Sequence, residues 1–450
     1  MSNRKAAVLD MTRGNAVRMI LTFAIPIFIG NIFQQVYSMV DTMVAGYCLG
    51  DQAIAAIGAT SSLYGLIIDL AWGLNSGFAL IVTQAFGAHE PGKIRKSISH
   101  MMVLDGIIAV VFTVLALTFL PDLMRLINTP ESIFDQAYIY MVVIFSGMLA
   151  TVCYNMFAGI LRAFGNSRTP LYFLIFSSLL NVALDLLFVA AFRMGVGGAA
   201  LATVVSQAVS GILAGLYVYR IYRDMLPAKE DFRLEKELTK EMLTTGGAMG
   251  FMYSVVDLGS VIFQGAANAL GEMYIAAHTA ARRVINILMQ PMSGMMNAAG
   301  TFVGQNWGAK QKRRIRDALK KIMGMEIAWG LFSCLIVYLF GRSIIQFITG
   351  TGSAEVLDNA VLSLRIHFPF FPVLGVLLAT RVSMQSMGQK TAPVISSVIE
   401  LLMKIGAALW LIPSVGFVGV CLTEPVTWVI MTVFLLTVYM VKTRKMLTDQ

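Results

Sequence analysis

VTQAFGAHEPGKIRK (82–96) returns as VGQNWGAKQKRRIRD (303–317), 221 positions later, and this echo decides how the chain is built. Each copy runs from an apolar approach through a Gly-Ala step into a cluster of positive charge. The same offset sets LGDQAIAAIGA (49–59) against LGEMYIAAHTA (270–280), and Gly195, Gly198 and Leu201 against Gly416, Gly419 and Leu422. Gly165 and Pro170 correspond to Gly388 and Pro393 at an offset of 223. A period that covers the chain twice marks one duplicated unit, the pattern expected of transporters with parallel repeats.

The composition says what kind of unit is duplicated. Of 450 residues, 57% are hydrophobic and 13% charged, with mean hydropathy +0.74. Soluble domains carry about 25% charged residues, so this is a polytopic membrane protein. Runs long enough to cross about 30 Å of hydrocarbon lie at 17–45, 53–83, 97–120, 133–160, 170–192, 195–219, 243–268, 275–304, 317–340, 357–386, 391–412 and 416–441. Between the sixth and seventh comes RIYRDMLPAKEDFRLEKELTK (220–240), the longest charged connection. The expected fold is an all-α integral membrane protein of twelve transmembrane helices in two six-helix lobes, a parallel pseudo-two-fold repeat. The N-lobe is 1–219, a cytoplasmic linker 220–242, and the C-lobe 243–450, with a cleft between like lobes suited to alternating access.

The net charge of +9 does not form a nucleic-acid face, because the basic residues sit in short clusters between apolar runs. They concentrate in the N-terminus and every second connection, which places both termini in the cytoplasm of a cell whose inner (plasma) membrane holds the chain. The charged N-terminus lacks a short apolar segment with a cleavage site, so the first span is expected to remain. Cys48, Cys153, Cys334 and Cys421 are widely spaced and read as small buried hydrophobes. Neither a GxxxxGK[ST] loop, nor HExxH, nor GxSxG occurs, so the motifs offer no nucleotide site and no hydrolase.

The ionisable residues inside the spans carry the chemistry. FAIPIFIGNIFQQVYSMVDTMVAG (23–46) contains a proline and a carboxylate in a membrane-length run. An aspartate at a bilayer centre costs about 2.5–3.5 kcal/mol, so Asp41 must face protein or water. Gln34, Tyr37 and Asp41 share one stripe of that helix, and Pro26 loosens it. Asn181 and Asp185 share a face of the fifth span, Thr203 and Gln207 a face of the sixth. Two carboxylates, an amide oxygen and a hydroxyl suit a small hard cation, and a desolvated carboxylate equally suits a proton. The competing reading is that these groups only hydrogen-bond helices together.

The C-lobe lacks this cluster: Asp41 maps onto Ile262 and Pro26 onto Gly247. It has its own possible polar site in Asp257, Arg282, Glu400, Lys404 and Glu424. Glu400 and Lys404, at i and i+4, suit a self-neutralising pair. Arg282 and Arg283 are free to balance Asp257 or to meet an anionic group. His278 sits at a span entrance, while Asp69 and Glu326 are single acids without a constellation. Among 29 methionines the run MQPMSGMM (289–296) is either core filler or the wall of an adaptable cavity.

Pro26 and Asp41, GAHEPGKIRK (87–96), AGILRAFGNSRTP (158–170), NVALD (181–185), GGAALAT (197–203) and VGQNWGAKQ (303–311) together resemble the multidrug and toxic compound extrusion (MATE) transporters, and among them the DNA-damage-inducible branch. The resemblance covers all twelve spans. It implies a secondary antiporter, not an enzyme, exporting organic cations or amphiphilic drugs in exchange for H+ or Na+. It puts the coupling ion, Na+ included, at Asp41, Asn181, Asp185 and Thr203, the hinge at Pro26, and a substrate cavity at Gln34, Tyr37, Tyr64, Asn155 and Gln207. No cofactor beyond the coupling ion is expected, and the partners are small organic compounds and membrane lipid, with the protein a monomer. A lipid-linked precursor flippase of the same superfamily is the nearest rival; a membrane-embedded enzyme or a channel is the rival from another class.

Overall fold

The computed structural model describes residues 9–350, 353–443 and 445, and all regular structure among them is helical. The first six spanning helices are α1 (Ala16–Leu49), α2 (Asp51–Gly87), α3 (Pro91–Leu126), α4 (Glu131–Ser146 continued by Met148–Ala163), α5 (Arg168–Ala191) and α6 (Gly195–Ile221). Six more follow: α7 (Lys236–Asn268), α8 (Glu272–Gly308), α9 (Lys312–Thr349), α10 (Ala354–Ser386), α11 (Thr391–Val415) and α12 (Phe417–Thr443). Ten of these are apolar and long enough to cross a membrane as they stand, and α4 makes an eleventh, bent by 46°. The bend falls at Gly147, where a Cβ would come within 2.2 Å of the Val204 side chain on α6. The twelfth, α8, has the length but carries His278, Arg282 and Arg283, which dilute its apolarity.

The duplication is written into the backbone. Left-handed residues occur in matched pairs: Gly50 with Gly271, His89 with Lys310, Gly165 with Gly388, Gly195 with Gly416. Wide π-type turns lie within α5 at Leu186–Ala191 and within α11 at Ala407–Leu411, starting 221 positions apart.

Contacts divide the chain into two compact units. One comprises Met1–Asp10 and Ile29–Gly250, the other Met11–Phe28 and Phe251–Gln450. Thus α1 and α7 are each shared: the opening half of α1 belongs with the second unit, and that of α7 with the first. The switch points, Ile29 and Phe251, are one residue out of register in the 221 repeat, so the exchange itself is duplicated.

The two copies of the repeated stretch hold these exchanged segments. In the second unit the Gln305 side chain accepts from the Met11 N–H at 2.9 Å, and Asn306 donates to the Met11 carbonyl at 3.1 Å. Arg314 donates to the carbonyls of Met11 and Gly14 at 3.0 and 2.7 Å. In the first unit Arg95 meets Asp231 at 3.2 Å and Lys96 meets Glu235 at 2.5 Å. Ser99 donates to the Asp231 carbonyl, and the Glu235 N–H donates to His100 Nε2 at 2.8 Å. The charged connection read as a linker is therefore docked: Arg220 and Ile221 finish α6, and α7 starts at Lys236.

Helices approach closely where side chains are missing. A Cβ on Gly77 of α2 would lie 2.4 Å from the Gly246 Cα on α7. One on Gly330 of α9 would meet the Pro372 nitrogen of α10 at 2.6 Å. Around such contacts the first unit packs Phe78, Ile98 and Phe164 in one core and Leu120, Met141 and Phe145 in another. The second unit packs Met292, Phe368 and Phe371. Cys421 is buried as read, but Cys48 is exposed: it is the penultimate residue of α1, beyond the packed part of the helix.

Candidate functional site

Three helices of the first unit converge on one polar cluster. The second half of α1 brings Tyr37 and Asp41, α5 brings Asn181 and Asp185, and α6 brings Thr203. Asn181 and Asp185 are each 1% exposed, so every polar atom there needs a partner. The Asn181 amide is oriented by its neighbours. Its nitrogen donates to the Tyr37 hydroxyl at 2.8 Å and to Asp185 Oδ2 at 2.9 Å, and its oxygen accepts from the Thr203 N–H at 3.0 Å. Thr203 Oγ1 lies 3.3 Å from the same amide and donates to the Ala199 carbonyl at 3.2 Å.

The side chains of Asp41 and Asp185 come together in this cluster. Two ionised carboxylates packed together out of water repel by several kcal/mol, so such a pair suits a proton or a small cation held between them. Asp185 Oδ1 remains buried without a hydrogen-bond partner among the described residues. Its position beside an all-oxygen donor set leaves room in the chemistry for a proton or a small hard cation.

The remaining sequence-read residues lie around this centre with unequal engagement. Gln34 is exposed on α1. Gln207 is half-buried on α6, its Oε1 unpartnered among the described residues. Asn155 on α4 turns its amide back to the Thr151 carbonyl at 3.0 Å. Tyr64 on α2 lies near Tyr140 of α4, which in turn is close enough to feel the charges of Asp41 and Asp185. Tyr140 went unread in the sequence; a tyrosine in an apolar run gives no signal until its helix is placed.

The C-lobe residues form a separate, paired network. Arg282 meets Glu424 at 2.6 Å, and His367 approaches the other oxygen of Glu424 at 3.5 Å. The balance of Arg282 thus comes from α12. Lys404 meets Glu400 at 2.9 Å and also donates to Ser260 of α7 at 2.9 Å. Asp257 is half-buried on that same helix. His278, in the second turn of α8, is only 4% exposed, its ring edge-on to Phe263. Arg381, a cation within the tenth apolar run, is hydrogen-bonded to Ser397. Glu326 of α9 is wholly buried, and neither carboxyl oxygen has a hydrogen-bond partner among the described residues.

With this geometry in hand, the likeness to known proteins is specific. The MatE family model matches the chain twice, at residues 26–187 and 248–410. The probable multidrug resistance protein YpnP of Bacillus subtilis is 28% identical over 367 residues, 82% of this chain and 82% of that protein. DNA damage-inducible protein F of Escherichia coli is 23% identical over 78% of this chain and 76% of its own length. A solved structure described as the outward-facing conformation of a multidrug resistance MATE family transporter of the MOP superfamily superposes with a TM-score of 0.89 at 23% identity, covering 98% of both chains. The two matches of the family model run from α1 to α5 and from α7 to α11, in step with the duplication, and the chain belongs to the MatE family of multi-pass membrane transporters.

Proposed function

We propose that this chain is a secondary antiporter that exports cationic or amphiphilic organic compounds in exchange for a coupling ion, H+ before Na+, carried by Asp41 and Asp185. The observation that carries the reading is the buried Asp185, its Oδ1 unpartnered and its Oδ2 held by Asn181, with Asp41 beside it. Taking up a proton discharges the cluster; losing it restores a charge for which an organic cation can compete. The amide of Asn181 favours H+, because its nitrogen faces Asp185 and its oxygen is engaged by Thr203. Sodium would require that amide to turn.

Binding shifts a conformational equilibrium only by its difference in affinity between the states. Pro26 stands next to the point where α1 passes from one unit to the other, and a helix lacking a backbone donor there bends at low cost. Ion uptake at Asp41 with bending at Pro26 contracts the N-lobe cavity, for which Gln34, Tyr37, Tyr64, Asn155 and Gln207 are the candidate walls, and expels the substrate. One positive charge moving inward gains about 2.3 kcal/mol per 100 mV, which supports about fiftyfold accumulation at full coupling. The names of the relatives, multidrug resistance among them, support organic cargo. A flippase for an anionic head group would want unpaired cations, whereas Arg282 and Lys404 are paired with acids.

The test is movement of a fluorescent organic cation in inverted vesicles of an inner membrane, with pH and Na+ gradients imposed separately. The pH gradient is expected to drive transport, and Asp41→Asn to lower it at least about tenfold, the loss of about 1.4 kcal/mol of coupling. Transport driven by neither gradient and untouched by Asp41→Asn would sink the antiport reading.

A further inference from the structure

The opening half of α1 and the helices α8 and α9 of the second unit enclose an apolar cavity of about 470 Å3. Its walls on α1 are Leu21, Ile25 and Phe28, and on α9 Met325, Ala328 and Phe332. Pro291 shapes the α8 side, and the Trp329 indole donates to the Leu288 carbonyl at 2.9 Å, in the turn that the proline disturbs. Leu21, Ile25, Ala328 and Phe332 are exposed, so the cavity opens on the surface that lipid covers.

Both lining stripes continue into a positive charge. On α1, Arg18 precedes Leu21, Ile25 and Phe28 at i, i+3, i+7 and i+10; on α9, Lys321 precedes Met325, Ala328 and Phe332 at i, i+4, i+7 and i+11. Those spacings keep each set on one face. Arg18 and Lys321 are exposed, and no side-chain partner of either occurs among the described residues. They mark the same end of the cavity, because Arg314 at the start of α9 holds the carbonyls of Met11 and Gly14 just before α1. From Arg18 to Phe28 the helix rises about 15 Å, half of about 30 Å of hydrocarbon. The apolar slot is one leaflet deep, and its cations lie at the level of the head groups.

We propose that this cavity is a binding site for an anionic phospholipid, one acyl chain in the slot and the phosphate between Arg18 and Lys321. A zwitterionic lipid supplies the same chain but brings its own cation to the basic pair. The site shares no residue with the Asp41 cluster and does not depend on the transport reading.

The test uses the full chain in phosphatidylcholine vesicles containing a minor fraction of lipid with brominated chains, either phosphatidylglycerol or phosphatidylcholine. Bromine quenches nearby tryptophan, and the share of quenching removed by Trp329→Phe reports the cavity. Brominated phosphatidylglycerol is expected to quench Trp329 the more strongly. Arg18→Gln and Lys321→Gln should each reduce its apparent affinity about fivefold, and Ala328→Phe should abolish the Trp329 signal from both lipids. Equal quenching of Trp329 by the two lipids, taken as the share removed by Trp329→Phe, overturns the proposal. So does a preference that survives the double replacement, or relief of quenching by soluble glycerol phosphate, which would show that the slot holds no chain.

Discussion

Asp185 has two oxygens in different circumstances: Oδ2 takes a hydrogen bond from Asn181, while Oδ1 is buried without a partner. Thr203 distinguishes the ions that such a carboxyl could bind. Its N–H, not its hydroxyl, serves the Asn181 oxygen, so Thr203→Val should lower proton-driven efflux by no more than about fivefold, the worth of one hydrogen bond. A sodium site using that hydroxyl would lose far more, and titrating efflux against Na+ and pH separates the cases. Glu326 presents the opposite problem, two buried oxygens with nothing to bond. Glu326→Met should raise the thermal midpoint of the purified protein in detergent, relieving a cost of about 1–3 kcal/mol. Lys404 is 5% exposed at its side chain against 15% for Glu400. Lys404→Met strands that acid and should cost about 3–5 kcal/mol, most of it recovered when Glu400 is also made apolar. Glu400 and Lys404 were legible as a pair because one helix spaces them; the pairing of Arg282 with Glu424 was not, because it joins α8 to α12.

Helices in this protein are set by what they lack as much as by what they carry. Gly77→Ala inserts a methyl against backbone at Gly246, where no side chain can swing aside. A loss of about 1–3 kcal/mol is expected, read as a lower unfolding midpoint. The connection between α6 and α7 is held by α3, and its clasp includes a neutral imidazole: His100 Nδ1 faces the Lys96 carbonyl at 2.7 Å while Nε2 accepts from Glu235. His100→Leu should speed amide exchange at Glu235 and its neighbours about tenfold, equivalent to about 1.4 kcal/mol. The Lys96 ammonium holds the exposed Glu235 carboxyl below its usual range. That contribution is complete above the carboxyl's unfolded value and is lost as pH falls through the lower folded one, so protection against exchange in the connection, corrected for the intrinsic rate, should fall only in acid.

At the scale of the molecule, the alternation of basic connections predicts which ends of the helices face the cytoplasm. Cys48 is exposed at the far end of α1, and the other cysteines are buried or half-buried. A membrane-impermeant maleimide applied to intact cells should therefore label Cys48, and Cys48→Ser should abolish the labelling; labelling seen only in inverted vesicles would reverse the assigned orientation. Helix number, the two six-helix halves and the ion-binding candidates on single helices were determined by the sequence alone. Bilayer thickness sets the length of an apolar run, helical period sets which residues share a face, and duplication leaves its offset in the glycines. The exchange of half-helices at Phe28 and Gly250, the docking of the linker, the meeting of Asp41 with Asp185, and the basic-capped slot beside α1 were decided only by tertiary structure. Each joins atoms from helices far apart in the chain, and hydropathy, which is a property of one helix at a time, holds no record of which neighbour a face will meet.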